Sequence, residues 1–96
     1  MKYDIPERVL KDITDFSKEN NIQKVILFGS RARGSNSERS DVDIAVSGGD
    51  FEGFYWSIKE KAHSLLTFDI VDLDTGMSEQ LREEIERDGV IIYEKA

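Results

Sequence analysis

A Gly-Ser turn and an Asp-x-Asp pair, separated by ten residues, are the features that most constrain this chain. The apolar run 25–28 ends in Gly29-Ser30, and Asp41 and Asp43 open a second apolar run. Glycine lets the backbone turn sharply and approach a ligand closely. Free N–H groups after such a turn can bind phosphate oxygens, and the hydroxyl of Ser30 adds a donor. The turn therefore predicts a phosphate site, with an ordinary strand-to-helix turn as the alternative.

The two aspartates indicate a metal site because of their spacing. Residues i and i+2 of a strand lie ~6.6 Å apart, with their side chains on the same face. Two negative charges there repel each other unless a cation lies between them. Mg²⁺ takes oxygen ligands at ~2.1 Å, and paired catalytic metals lie ~3.5–4 Å apart. Asp41 and Asp43 can converge on such ions; the alternative is that both are solvated on an exposed sheet face.

A third aspartate, Asp69, lies between Phe68 and Ile70 in another apolar run. A carboxylate there is costly unless it faces an open site or a metal. Asp72 falls on the opposite face of the strand, so only one of the two can join the first pair. We choose Asp69, because Asp72 lies nearer the strand end, where solvation is easy. Asp69 could take the proton of an attacking hydroxyl.

Three arginines, Arg31, Arg33 and Arg39, lie between the two motifs. A guanidinium group can contact phosphates or acidic groups. The alternative is a solvated loop with surface ion pairs. We expect the single histidine, His63, to be structural or on the surface.

The hydrophobic pattern predicts alternating helices and strands. Helices are predicted over 4–19, 51–66 and 78–88, with one helical turn over 30–34, and strands over 24–28, 41–47, 67–73 and 90–93. Asp4 with Glu7 fits a capping box, and Ser78 fits an N-cap. The order of elements predicts an α/β (α+β) fold, a small mixed β-sheet with helices packed on it. With 96 residues, we expect a single domain over 1–96.

Composition argues against several classes of protein. The chain has no cysteine, which excludes disulfides and thiolate metal sites. A net charge of −7 argues against direct nucleic-acid binding, but not against a metal-bound nucleotide. No apolar run approaches the ~20 residues needed to span a bilayer. The first residues lack the apolar core of a signal peptide, so we expect a cytoplasmic protein without membrane contact.

Taken together, these motifs resemble the DNA polymerase β-like nucleotidyltransferase superfamily. The strings Phe-Gly-Ser-Arg-Ala-Arg-Gly and Ser-Asp-Val-Asp-Ile, with the spacing between them, resemble the minimal nucleotidyltransferase (MNT) group in particular. The resemblance implies the nucleotidyltransferase fold. It also implies an Mg²⁺-dependent transfer of a nucleoside monophosphate, AMP from ATP, to a hydroxyl with release of pyrophosphate.

The resemblance further implies a role for each matching residue. Asp41, Asp43 and Asp69 would be catalytic and would bind two Mg²⁺ ions, with Asp69 as the candidate base. Gly29 and Ser30 would hold the triphosphate, with Arg31 and Arg33 as further candidates for nucleotide contacts.

Members of the MNT group lack the acceptor domain of aminoglycoside-modifying relatives and commonly pair with a helical HEPN-domain protein. Such pairs resemble toxin–antitoxin systems. The resemblance therefore implies an antitoxin that adenylylates a tyrosine of a HEPN toxin. Two alternatives stay open: a non-catalytic module that neutralises its partner by occlusion, and a small-molecule adenylyltransferase of the aminoglycoside kind.

Overall fold

The computed structural model describes residues 3–62 and 64–96, and within them the chain forms four helices and four strands. In chain order these are α1 (Glu7–Glu19), β1 (Lys24–Phe28), α2 (Ser30–Arg33), β2 (Val42–Ser47), α3 (Phe51–Lys61), β3 (Phe68–Asp72), α4 (Glu79–Asp88) and β4 (Val90–Glu94). His63, for which a structural or surface role is expected, lies outside the described residues. None of the described helices is both long enough and apolar enough to cross a membrane.

The four strands form one mixed sheet in the order β3-β2-β1-β4. β1 pairs antiparallel with β2 and with β4, whereas β2 and β3 run parallel. A parallel pair needs a long crossover, and α3 supplies it. The mixed sheet with packed helices, predicted from the order of elements, is confirmed.

Strict alternation along β2 gives the sheet two different faces. Ile44 and Val46 are fully buried on the face that α1 and α3 cover. Ala45 points the other way and packs with Phe28 and with Ile85 of α4. The face under α4 has the smaller core, and it is the face to which the odd-numbered residues of β2 belong.

The start of α1 differs from the prediction. The helix begins at Glu7 after Pro6, and no side chain caps it. The Asp4 carboxylate instead accepts a hydrogen bond of 2.9 Å from Nδ2 of Asn36. The predicted capping box is therefore wrong, because the Asp4 side chain is hydrogen-bonded to Asn36 and not to the start of the helix.

The end of α3 also differs. The helix stops at Lys61 instead of continuing to residue 66, since Ala62 adopts an extended conformation with ψ 137°. Leu66 still packs against the core from the connection to β3, whereas Leu65 is fully exposed. The apolar pattern continued past the helix because Leu66 contributes to the core without being helical. The predicted N-cap at Ser78 is confirmed by its hydrogen bond from the Leu81 amide.

Candidate functional site

Asp43 and Asp69 lie side by side on the parallel strands β2 and β3. Their Cα atoms are register partners. Neighbouring strands lie ~4.8 Å apart, so the two carboxylates are immediate neighbours across the sheet. Both belong to the face under α4, because Ala45 and Val71, two residues further along each strand, pack there. Asp43 is half-buried and Asp69 is exposed.

Asp41 completes the acidic group from the end of the preceding loop. The sequence predicted that the strand begins at Asp41, but β2 begins at Val42, so Asp41 lies just before it. Its side chain is exposed. Its charge nevertheless acts on Asp43, two residues away. The fold thus places Asp41 and Asp69 close enough to Asp43 for their charges to act on it.

The Asp43 carboxyl loses its proton less readily than an ordinary aspartate. Burial, above all, raises its pKa from 3.8 to about 6, and the negative charges of Asp69, Asp41 and Glu84 act in the same direction. The positive charge of Arg33 opposes them. A cation beside Asp43 would relieve this repulsion, since an opposite charge favours the ionised carboxylate.

Glu84 of α4 is a neighbour of the site that the sequence reasoning did not identify. It lies three residues after Leu81 and one before Ile85, and both of these pack against the sheet. Residues three apart on a helix share a side, so the apolar spacing of α4 carried a signal for Glu84. Its carboxylate adds negative charge from the helix that covers this face.

Gly29 lies against the side chain of Asp43. It has φ +77°, a backbone conformation that favours glycine, and it precedes the one-turn helix α2. A Cβ at this position would overlap Oδ2 of Asp43. Only a residue without a side chain leaves room for the Asp43 carboxylate here, and Ser30 follows it into the same turn.

The two arginines predicted to contact the nucleotide have different surroundings. Arg31 is only 2% exposed and donates to main-chain carbonyl oxygens. The Arg33 side chain is 44% exposed, and its Nη1 lies 3.2 Å from Oδ2 of Asp88 on α4. The surroundings of Arg31 do not support a phosphate contact, whereas Arg33 is open to solvent beside the acidic group.

A cavity of about 560 Å³ lies at the same end of the sheet. The Val42 amide, next to Asp41, donates to the Thr67 carbonyl over 2.9 Å. Thr67 directly precedes β3, so it lies beside the start of β2. The cavity is lined by Arg39, Leu65, Leu66 and Thr67.

The chemistry of the acidic group fits Mg²⁺. Carboxylate oxygens are the ligands that Mg²⁺ prefers, and it is usually bound by one or two carboxylates together with substrate phosphates. Across residues 3–62 and 64–96, no three Asp, Glu or His side chains converge closely enough to hold a metal ion by themselves. The adjacent carboxylates, with the high pKa of Asp43, suit an ion whose remaining ligands come from a nucleotide.

Comparison with known families decides what kind of domain this is. The sequence profile described as Polymerase beta, Nucleotidyltransferase matches residues 11–96, which include the whole acidic group and Gly29. The chain belongs to this family. The resemblance predicted from the Gly-Ser and Asp-x-Asp motifs is confirmed, and the protein is a nucleotidyltransferase domain.

Individual relatives of this nucleotidyltransferase agree with the assignment. Over 45 residues it is 42% identical to a protein of Methanocaldococcus jannaschii that is provisionally named a protein adenylyltransferase. That match spans 44% of this chain and 45% of the relative, so less than half of either protein is compared.

Solved structures share the nucleotidyltransferase fold. A chain from a toxin–antitoxin crystal structure with AMP-PNP superposes with a TM-score of 0.71 at 26% identity, covering 90% of this chain and 73% of the other. A chain from a mutant of the MntA-HpeT toxin–antitoxin gives a TM-score of 0.70 at 24% identity, with the same coverage. The predicted nucleotidyltransferase fold is thereby confirmed.

Proposed function

We propose that this domain transfers AMP from ATP to a hydroxyl of a partner protein, a tyrosine of a HEPN-domain toxin, and releases pyrophosphate. The observation that carries the proposal is the pairing of Asp43 with Asp69, together with the close approach of Gly29 to Asp43. It joins a turn suited to phosphate binding to a pair of carboxylates, one half-buried and one exposed. Family membership supports the reaction class, and the likeness to a toxin–antitoxin chain solved with AMP-PNP supports the nucleotide and the kind of partner.

The triphosphate would lie on the turn at Gly29 and Ser30. Glycine at residue 29 allows the backbone to approach a phosphate closely, and the Ser30 hydroxyl is half-buried at the start of α2. Arg33 is the arginine that we assign to the phosphates, because its partly exposed guanidinium adjoins the acidic group. We leave Arg31 out of this contact.

Asp41, Asp43 and Asp69 would hold Mg²⁺ together with phosphate oxygens. When bound, Mg²⁺ would neutralise charge on the phosphates and stabilise the attacking and leaving oxygens. The protein contributes by keeping the carboxylates close despite their mutual repulsion; burial first, and then this repulsion, raise the pKa of Asp43. Each of the three carboxylates adds negative charge that the cation offsets.

Asp69 is the base that we assign to the acceptor. Unlike half-buried Asp43, it is exposed, so a hydroxyl from another molecule can approach it. The acceptor oxygen forms a bond to the α-phosphorus of ATP, and its proton passes to Asp69. The bond from the α-phosphorus to the oxygen that bridges it to the β-phosphorus breaks, and pyrophosphate leaves with that electron pair.

We assign the acceptor protein to the cavity at the same end of the sheet. The cavity beside the starts of β2 and β3 carries exposed Leu65 together with Leu66 and Arg39. An exposed apolar side chain next to a basic one is suited to a protein surface. Occlusion of the partner by this surface is the alternative function. In that case an Asp41→Asn/Asp43→Asn variant would still inhibit the partner fully.

The proposal is tested with ATP labelled at either the α- or the γ-phosphate. The wild-type domain, a HEPN-domain partner and Mg²⁺ are incubated with each labelled nucleotide, and label on the partner is counted after gel separation. Nucleotidyl transfer puts only the α label on the partner. Transfer of the γ label, or of neither label, contradicts the proposal. Glu60→Gln, on the exposed side of α3, is the matched control and keeps wild-type transfer.

A further inference from the structure

Arg31 has an environment unlike that of any surface arginine. It is 2% exposed, and its guanidinium donates three hydrogen bonds to described residues. Nε reaches the Ser40 carbonyl over 3.0 Å, Nη2 reaches the Glu38 carbonyl over 2.9 Å, and Nη1 reaches the Asp4 carbonyl over 3.2 Å. A buried guanidinium is stabilised by such charge-assisted bonds, and each binds one point of the backbone.

Two of these three bonds fix the loop that delivers Asp41. Residues 34–41 connect α2 to β2, and most of their side chains are exposed. The Ser40 carbonyl belongs to the peptide group that joins Ser40 to Asp41. Arg31 therefore anchors the backbone immediately before the first aspartate of the acidic group.

The third bond links Arg31 to the segment before α1. The Asp4 amide donates to the Arg31 carbonyl over 2.8 Å, while Arg31 donates back to the Asp4 carbonyl. The Asp4 carboxylate accepts from Asn36 of the same loop. Arg31 thus lies where the N-terminal segment, the turn after Gly29 and the loop before β2 meet.

We propose that Arg31 is a positioning residue, which fixes Asp41 at the start of β2 so that it can bind the metal beside Asp43. The inference rests on the proposed function, in which Asp41 is a metal ligand. The planar guanidinium holds three carbonyls that diverge in direction, and the single ammonium of lysine cannot reproduce that fork. Arg31 is one of the largest buried side chains, so the test includes a variant that keeps its charge.

The test compares Arg31→Lys and Arg31→Met with Arg8→Met, a change of the same residue type at an exposed position of α1. Arg8 lies outside the proposed site. Two quantities are measured without nucleotide or partner: amide hydrogen exchange over residues 37–43, and Mn²⁺ affinity from electron paramagnetic resonance. Arg31→Lys keeps the charge and serves if Arg31→Met does not fold.

Arg31→Lys is expected to speed amide exchange in the loop and to weaken Mn²⁺ binding about 10-fold, the scale found for residues that orient metal ligands. Arg8→Met leaves both at wild-type values. In an Asp41→Asn background, Arg31→Lys causes no further loss of Mn²⁺ affinity, because it acts through Asp41.

Three results would overturn the inference, and they distinguish a failed positioning role from a failed metal site. If Asp41→Asn weakens Mn²⁺ binding but Arg31→Lys does not, or if their losses add, Arg31 does not position Asp41. If Asp41→Asn itself leaves Mn²⁺ affinity unchanged, Asp41 is not a metal ligand. The proposed metal site then fails, and the positioning role fails with it.

Discussion

Gly29 lies so close to Asp43 that a single methyl group at residue 29 would overlap the Oδ2 atom of the carboxylate. The two residues belong to different elements: Gly29 lies in the turn after β1, and Asp43 lies on β2. Register explains the contact, because Phe28, just before the glycine, pairs with Asp43 across the antiparallel strands. The Gly-Ser turn and the aspartate pair therefore form one structural unit.

Gly29→Ala is expected to abolish most activity. The added methyl would displace the Asp43 carboxylate, and alanine is strained at φ +77°. Displacing a catalytic group by about 1 Å can cost on the order of 100-fold in rate. Strain of this kind costs about 1–3 kcal/mol in the free energy of unfolding. AMP transfer and urea denaturation measure the two effects.

Gly76→Ala is the matched control for this change. Gly76 lies in the turn before α4, and a Cβ there would meet open space. Its stability and activity should equal those of wild type. A Gly29→Ala variant that behaved like Gly76→Ala would show that the close approach of Gly29 to Asp43 has no functional importance.

Asp43→Asn is expected to stabilise the domain above pH 7. The folded state holds the Asp43 proton up to a pKa of about 6, whereas the ordinary value is 3.8. Ionisation therefore costs folding free energy as the pH rises from about 4 through 6, and this cost is complete above that window. Because the side chain is partly solvated, we expect a gain of about 1 kcal/mol for the variant at pH 7.5.

Urea denaturation of both proteins across pH 4–8 measures this difference. The advantage of Asp43→Asn should vanish near pH 4, where wild-type Asp43 is protonated. Mg²⁺ with ATP should raise the Tm of wild type at pH 7.5 more than that of the variant. A constant stability difference from pH 4 to 8 would contradict the electrostatic account of the site.

Arg33→Met and Arg87→Met should differ in their effects on nucleotide binding. Both arginines pair with Asp88, but the charge of Arg33 also acts on Asp43. Loss of a charge-assisted phosphate contact should raise the KM for ATP about 10-fold in Arg33→Met. Arg87→Met should leave it unchanged. Equal KM values for the two variants would remove Arg33 from the proposed triphosphate site.

Phe54→Ala should destabilise the fold, and Trp56→Ala should not. The two aromatic residues lie on the same helix, but Phe54 is fully buried and Trp56 is 55% exposed. Truncating a buried phenylalanine costs about 3–5 kcal/mol. An exposed substitution changes stability by about 0.5 kcal/mol or less. Urea denaturation that gave both variants the same free energy of unfolding would contradict the packing of α3 against the sheet.

Much of the site could be predicted because it depends on local pattern. Two-residue alternation placed Asp43 and Asp69 on one face of their strands, and parallel pairing of those strands made them neighbours. The glycine requirement at residue 29 was likewise visible in the abrupt end of an apolar run. These features follow from short stretches of sequence.

Other features depend on contacts between distant segments, and the sequence pattern did not contain them. Arg31 resembles a phosphate-binding residue in sequence, but three carbonyls from two other segments surround it. Asp4 resembles half of a capping box, but Asn36 binds its side chain. The spacing of α4 places Glu84 on the side of Leu81, but its charge acts on Asp43 only because that side packs across this face of the sheet.

The central claim is that the paired carboxylates transfer AMP to a partner protein. The intact mass of a HEPN-domain partner, measured after incubation with ATP, Mg²⁺ and either wild type or Asp41→Asn/Asp43→Asn, tests it most directly. The account predicts that wild type adds the mass of one or more AMP groups and that the double variant adds none. An unchanged partner mass with wild type, or an equal gain with both proteins, would contradict it.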